Sequence, residues 1–242
     1  MHVTLACMRP VLPSNDIRLY DVLVDEWWRS SPAFAGLRWI AAARAALMPP
    51  AVRAGAVLVD LGCGGGLLAP HVARLGYRHI GVDRSRSALG VAARHGVVPV
   101  LADAGAVPLA DSCADVVSAG EILEHVAGPS TVVSEACRLL RPGGTLVIDT
   151  VNATALARFL VVTLAERVTR LAPRGLHDPG LFVRPDLVRG VGRQHGVALA
   201  VRGVRPAVGD LLRWLVNRRG DVRLVPTFST AVLYQAWGVK EG

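Results

Sequence analysis

Apolar and polar positions along this chain change period several times. From 35 to 47 the apolar residues recur at helical spacing, and Pro49-Pro50 ends the run. Upstream, Pro10 and Pro13 break the first stretch. Ser14, Asn15 or Asp16 then stands where a helix toward Arg29 would be capped. Between 55 and 151 the pattern alternates five times between short apolar runs and helical spacing. The apolar runs lie at 57–60, 79–82, 97–101, 114–119 and 145–151. Such alternation predicts a parallel sheet with helices on both faces. Residues 152–195 read as mostly helical, with a loop around 173–179. Residues 196–240 hold two strand-like runs, 197–204 and 227–239, on either side of the segment 211–219. The expectation is one α/β domain spanning 1–242, with a helical lead-in (1–50), a core (55–151), a helical insertion (152–195) and C-terminal strands (196–242).

Composition narrows the picture. With 52% hydrophobic residues, 242 residues suffice for a full core, and long disorder is not expected. Four separated cysteines (Cys7, Cys63, Cys113, Cys137) without a C-x-x-C pair read as reduced thiols, which points to a cytoplasmic protein. No apolar run approaches the roughly 18 residues of a spanning helix, and no secretory leader is read at the N-terminus. The formal charge is +8, and arginines crowd the chain from Arg158 onward. No aromatic residues are interleaved with them as base-stacking platforms, so no specific nucleic acid is expected as a partner. Codon bias explains part of the excess. Contact with an anionic membrane, at its inner surface, is the functional counterpart.

The candidate chemistry begins at Val57, where the chain reads V-L-V-D-L-G-C-G-G-G. A strand running into glycines and then a helix is a nucleotide-binding corner, because glycine turns sharply and lets a ligand approach the backbone. Asp83 closes the next apolar run, 21 residues after Gly62, where an acidic group meets ribose hydroxyls. The run from Asp60 to Gly66 resembles motif I of class I S-adenosylmethionine-dependent methyltransferases. The resemblance implies a seven-stranded Rossmann-like sheet and S-adenosylmethionine as cofactor. It places Asp60, Gly62, Gly64, Asp83 and Gly120 around that cofactor, Asp103 near the adenine, and Arg44 on the methionine carboxylate. Leu140-Arg141-Pro142-Gly143-Gly144 matches the family's turn before strand five.

A narrower resemblance follows. Asp25-Glu26-Trp27-Trp28 with Phe34 and Arg44, the block Glu121-Ile122-Leu123-Glu124-His125-Val126, and Pro173-Arg174-Gly175-Leu176-His177-Asp178 followed by Phe182-Val183-Arg184-Pro185 are similar to 3-demethylubiquinol O-methyltransferases. These enzymes methylate phenols and catechols that carry polyprenyl chains. The similarity runs over roughly residues 20–190. It departs at Arg29, Gly120 and Leu176, and fades beyond about Val204. A small phenolic substrate with a prenyl tail is therefore expected.

A phenol with a pKa of about 10 costs roughly 4 kcal/mol to ionise at pH 7, so the acceptor needs a base or a cation. If Glu121 opens a helix, Glu121, Glu124 and His125 share one face at i, i+3 and i+4 and can bind Mg²⁺, Mn²⁺ or Zn²⁺. The resemblance implies the same metal triplet. Other roles stay open: Glu121 meeting the cofactor's amino group, Glu124 capping, His125 acting as general base without a metal. His177 beside Asp178 is a second catalytic candidate, with an Asx-type turn before Pro179 as its structural counterpart. Residues 155–171 form an amphipathic pattern with a wide apolar face, which suits core packing, a lid or a membrane-docking helix. Methylation of another small natural product is the nearest alternative function. A nucleic-acid methyltransferase is disfavoured because Ala119-Gly120-Glu121-Ile122 stands where an N-P-P-Y-like tetrad belongs. A nicotinamide-dependent reductase lacks its third glycine spacing.

Overall fold

Each apolar run between 55 and 151 becomes a strand, and the helical stretches between them become its crossovers. The computed structural model describes residues 15, 16, 18, 21, 23–29, 34–168 and 172–242. The proposed cap at Ser14, the breaks at Pro10 and Pro13, Cys7 and the end of the 155–171 pattern lie outside them. Of the helix foreseen toward Arg29, the described residues show helical Arg18 and Asp21 and a 3-10 turn, Val24–Glu26.

Helix α1 covers Ala35–Ala45. Strand β1, Val57–Leu61, is followed by α2, Ala69–Val72, and a 3-10 turn that closes on Gly76 at φ 86°. Strand β2, Arg78–Asp83, leads to α3, Arg86–Arg94, whose cap Ser85 accepts the Ala88 N–H at 3.1 Å. Strands β3, Val98–Leu101, and β4, Ala114–Gly120, precede α4, Pro129–Leu139. The turn expected at 140–144 is absorbed as an irregularity in β5, Leu140–Val151, where the pairing with β4 slips between Ala114/Leu140 and Val116/Thr145. Gly143 there adopts φ 75°, and its N–H donates to Lys240 O at 2.9 Å.

In the insertion, α5 (Ala155–Ala157) runs on as a π-helix over Arg158–Val168, and α6 spans Pro185–Gln194. Strand β6 is Ala200–Pro206 and α7 is Val208–Asn217. The run foreseen at 227–239 forms β8, Leu233–Val239, and an unforeseen short strand, β7, Leu224–Thr227, precedes it.

The described strands form one eight-stranded sheet in the order β3-β2-β1-β4-β5-β8-β6-β7, one strand more than the expected seven. Strands β1 to β5 are parallel, and β8, β6 and β7 are antiparallel additions. Every residue of β4 is buried, as befits a strand covered on both faces. One face packs Val59, Val117 and Leu146 against Val132, Ala136 and Val188. The other packs Leu58, Val116 and Val147 against Ala45, Leu68 and Val72. Strand order reverses between β1 and β4, and that switch point opens a crevice at the carboxyl ends of the strands.

At the opposite end of the sheet, buried Asp115 accepts the Val57 N–H at 2.8 Å and the guanidiniums of Arg53 and Arg141 at 2.8 and 2.6 Å. Burial works against its charge, but these donors outweigh burial and hold its pKa below the ordinary value. A carboxylate depressed in the folded state contributes stability above its unfolded pKa and loses it as pH falls through the folded value. Asp115→Ala should lower unfolding stability by about 1.5–3 kcal/mol at pH 7. It should also flatten the acid limb of the stability curve, as read by urea denaturation from pH 7 to pH 3; an unchanged limb would contradict the assignment.

Candidate active site

The glycine corner turns at the top of β1. Gly62, Gly64 and Gly66 take φ 68°, 51° and 80°, and the Gly62 N–H donates to Val82 O at 2.8 Å. A Cβ on Gly64 would lie 2.3 Å from the Trp27 ring, and one on Gly62 would lie 2.8 Å from Ile122. Asp83 ends β2 and accepts the N–H groups of Gly64 and Ser85, each at 2.8 Å. Burial raises its pKa, against the pull of those backbone donors.

Two adjoining cavities occupy the crevice. The first, about 170 Å³, is lined by Gly62, Gly64, Asp83 and Asp103, with Trp27 and Asn15 above them. The second, about 60 Å³, is lined by Arg44, Asp60, Gly62 and Gly120. The fold thus distributes the seven expected cofactor residues between two cavities that share Gly62 in their walls. Sequence reasoning took Asn15 only as a cap candidate. In the fold its amide donates to His125 O at 2.9 Å, and its own N–H donates to Gly175 O at 2.9 Å. A side chain 110 residues from His125 leaves no local signal of that contact.

Arg44 is buried and pairs with Asp149 at 2.8 Å. Burial opposes its charge, but Asp149, Asp60 and Glu121 together hold its pKa up. The guanidinium crosses directly over Gly120, where a Cβ would lie 1.2 Å from Nη1. Asp149 ends no motif in the sequence, and its role is visible only once α1 packs on β5.

The expected shared helical face is corrected. Glu121 lies outside the turn in left-handed backbone at φ 51°, and the following element is only a 3-10 turn, Leu123–His125. Among the described residues no three His, Cys, Asp or Glu side chains are grouped to hold a metal ion. Part of the donor set nevertheless fits a cation. Glu121 Oε1 and Glu124 Oε1 are both buried without a hydrogen-bond partner. Burial, then Glu124 and Asp149, push the Glu121 carboxyl well up; burial does the same for Glu124, against the Thr150 hydroxyl that donates to its Oε2 at 2.7 Å. His125 is turned elsewhere: its ring Nδ1 lies 2.7 Å from Asn15 Oδ1. Burial, and then His177, lower its pKa to about 3, so it is a neutral and weak base.

His177 also departs from expectation. Its partner is Glu166, not Asp178. Glu166 Oε1 lies 2.7 Å from His177 Nδ1 and accepts the His177 N–H at 3.0 Å, while Oε2 accepts the Gly175 N–H at 2.8 Å. Asp178 accepts the Gly180 N–H in the foreseen Asx turn. Glu166 looked like a polar break in an apolar helix. The π-helical widening places it inward and buried.

A third cavity, about 490 Å³, is walled by Trp39, Val151, Leu160, Val161, Trp214 and Leu233. Leu37, Glu121, Leu176 and His177 line both this cavity and the second one. A polar pocket and an apolar cavity therefore meet at one carboxylate and one imidazole.

Comparison with known proteins agrees with this geometry. Residues 59–148 match the family model described as a methyltransferase domain. The chain is 36% identical over 199 residues to a ubiquinone biosynthesis O-methyltransferase from Ralstonia nicotianae, covering 78% of this chain and 84% of the relative. A SAM-dependent methyltransferase from Thermotoga maritima superposes with a TM-score of 0.64 at 20% identity, over 93% of this chain and 99% of its own. Magnesium protoporphyrin IX methyltransferase from Synechocystis PCC 6803, solved with S-adenosylhomocysteine, gives 0.60 at 15% identity over 93% and 95%.

Gly120→Ala tests the electrostatic centre of the site. The new methyl cannot share space with Arg44, and displacing the guanidinium leaves Asp149 buried and unpaired. The expected cost is about 3–5 kcal/mol in chemical denaturation. A loss under about 1 kcal/mol, the scale of an ordinary surface change, would mean that Arg44 is not held there.

Proposed function

The chain belongs to the ubiquinone biosynthesis O-methyltransferase family and is an S-adenosylmethionine-dependent O-methyltransferase, and from that premise we propose that it methylates a phenolic or catecholic hydroxyl on a quinone precursor carrying a prenyl tail. The observation that carries this reading is the junction of the polar pocket with a 490 Å³ apolar cavity at Glu121, Leu176 and His177. S-adenosylmethionine would be held along the first two cavities, by Asp83 at its ribose, Asp103 toward its adenine and Arg44 at its carboxylate, and would supply the methyl group. The phenol enters from the apolar side, and its tail fills the space between α1, the π-helix and α7. Leu176 adds a further apolar wall at the junction, where the ring sits.

The acceptor oxygen attacks the methyl carbon in line with the departing sulfur. The C–O bond forms as the C–S bond breaks, and the electron pair leaves with the sulfur to give S-adenosylhomocysteine. Orienting the two reactants is worth roughly 7–11 kcal/mol. Asp60, Asp149 and Glu121 act electrostatically on the Arg44 guanidinium, and the carboxyl oxygens around this pocket favour a cationic sulfonium over the neutral product. A divalent cation held by Glu121 and Glu124 would stabilise phenolate. The Glu166–His177 pair supports a second reading, in which His177 Nδ1–H donates to Glu166 and Nε2 takes the phenol proton. Chelation separates the two. If the cation is required, chelator abolishes turnover, S-adenosylmethionine binding persists and Mg²⁺, Mn²⁺ or Zn²⁺ restores the rate. Full turnover without metal removes the cation from the mechanism; His177→Gln should then lower kcat by about 10²–10⁴ with cofactor affinity unchanged.

The segment 155–168 acts as the lid of the tail cavity. Leu156, Leu160, Val161 and Ala165 line the cavity, while Phe159 and Leu164 are exposed on the outside. Those outer residues support contact with a membrane that stores the substrate, at its cytoplasmic face. Among the described residues no helix is long and apolar enough to cross a membrane.

Asp83→Ala should weaken S-adenosylmethionine binding by about tenfold or more in calorimetry, the scale of one charge-assisted contact at about 1.5–3 kcal/mol. Unchanged affinity in a folded variant would remove Asp83 from the ribose site.

A further inference from the structure

Helix α7 does not have the outer face of a surface helix. Trp214 points inward, meets Trp39 edge-on at 5.0 Å and walls the tail cavity. The outward stripe is apolar as well: Leu212 is 58% exposed and Val216 82%, with Val208 and Leu215 beside them. These positions recur at helical spacing on one side of the helix, where polar residues belong on a helix that faces only water. Phe228 adds to the patch. It is wholly exposed, at 108%, between Thr227 and Ser229, which both line the tail cavity. Basic residues surround this surface. The stretch 205–223 carries Arg205, Arg213, Arg218, Arg219 and Arg223 against Asp210 and Asp221. Asp210 is already engaged by Arg213 and Arg223.

We infer that α7 and Phe228 form a second docking surface, which seats the rim of the tail cavity on an anionic lipid bilayer. The inference rests on the proposed reading that the substrate's tail is drawn from a membrane, and adds a wall to the one supplied by the lid. An apolar stripe ringed by arginines suits the boundary between acyl chains and acidic headgroups, where apolar side chains insert and guanidiniums stay at the charged surface. Its occupant is a bilayer because the five arginines of 205–223 give the stripe a positive border that suits acidic headgroups, and Trp214, on the inner face of the same helix, walls an apolar cavity. Trp214 and Leu224 line that cavity from the C-terminal side, and Leu156 and Leu160 line it from the lid. A prenyl chain leaving the acyl layer between these two walls would pass into the cavity without crossing water.

The test uses the full chain and vesicles of phosphatidylcholine with or without phosphatidylglycerol. Wild-type protein should cosediment with the anionic vesicles, less so with neutral ones, and less at high salt. The double variant Leu212→Glu/Val216→Glu and, separately, Arg219→Glu should each lower the apparent partition coefficient at least about fivefold. Both should keep the wild-type rate on a water-soluble catechol without a tail, so that failure of the docking surface and failure of the methyltransferase reading give different results. Phe228→Ser provides a check on a residue outside the helix. Binding of the α7 variants equal to wild type, equal wild-type binding to neutral and anionic vesicles, or no wild-type binding to either overturns the inference. So does a concentration-dependent dimer that the same substitutions abolish, since a second copy would then be what covers the stripe.

Discussion

Three carboxyl groups, Asp60, Glu121 and Asp149, act on Arg44 at the carboxyl edge of the sheet, and Glu124 acts in turn on Glu121. The 2.8 Å pair of Arg44 with Asp149 is the contact on which the site depends. Breaking a buried pair leaves a naked charge, which costs far more than the pair contributes. Arg44 reaches the sheet from α1, outside the core that carries the glycine corner, so the pair also ties the N-terminal part to β5. Gly120 is the geometric condition for it, because the guanidinium passes through the space a side chain would occupy.

Strained backbone lies directly beside this cluster. Glu121 occupies left-handed φ directly after Gly120, and its N–H donates to Asp149 O at 3.0 Å. A non-glycine residue held there marks a place where surrounding structure over-determines the conformation. The outcome is a carboxylate at the boundary of two unlike spaces. Toward β1 the lining is glycine, aspartate and arginine; toward the π-helix it is leucine, valine and tryptophan. The proposed function sets a charged sulfonium on one side of that boundary and a prenyl tail on the other. Neither space would suit both.

The roof over the site comes from sequence-distant pieces. Trp27 lies on Gly64 and Gly65, and Trp28 Nε1–H donates to Gly65 O at 2.8 Å while its ring stacks on His95. Asn15 pins His125 and the Gly175 carbonyl, and Glu166 pins the same loop from the other side. The loop carrying His177 is therefore held between the N-terminal segment and the insertion. That arrangement gives the imidazole one orientation, with Nδ1 facing Glu166.

By itself the sequence determined the α/β alternation, the five parallel strands, the glycine corner and Asp83, because period and glycine placement are local properties that the backbone obeys directly. It also picked out Asp60, Gly62, Gly64, Asp83, Asp103, Gly120 and Arg44, which the fold brings to the walls of the two crevice cavities. Only the tertiary structure decided who partners whom. Glu166 rather than Asp178 holds His177, because a π-helical turn shifts the facing that helical counting assigns. Glu121, Glu124 and His125 fail to share a helical face, because Gly120 and the left-handed Glu121 end the strand without starting a helix. The eighth strand, Leu224–Thr227, ends where the foreseen run begins and pairs with β6, where a Cβ on Gly203 would lie 1.8 Å from the Ser229 carbonyl oxygen, so the two segments approach closely. Such contacts depend on which surfaces meet in space, and no spacing along the chain encodes that.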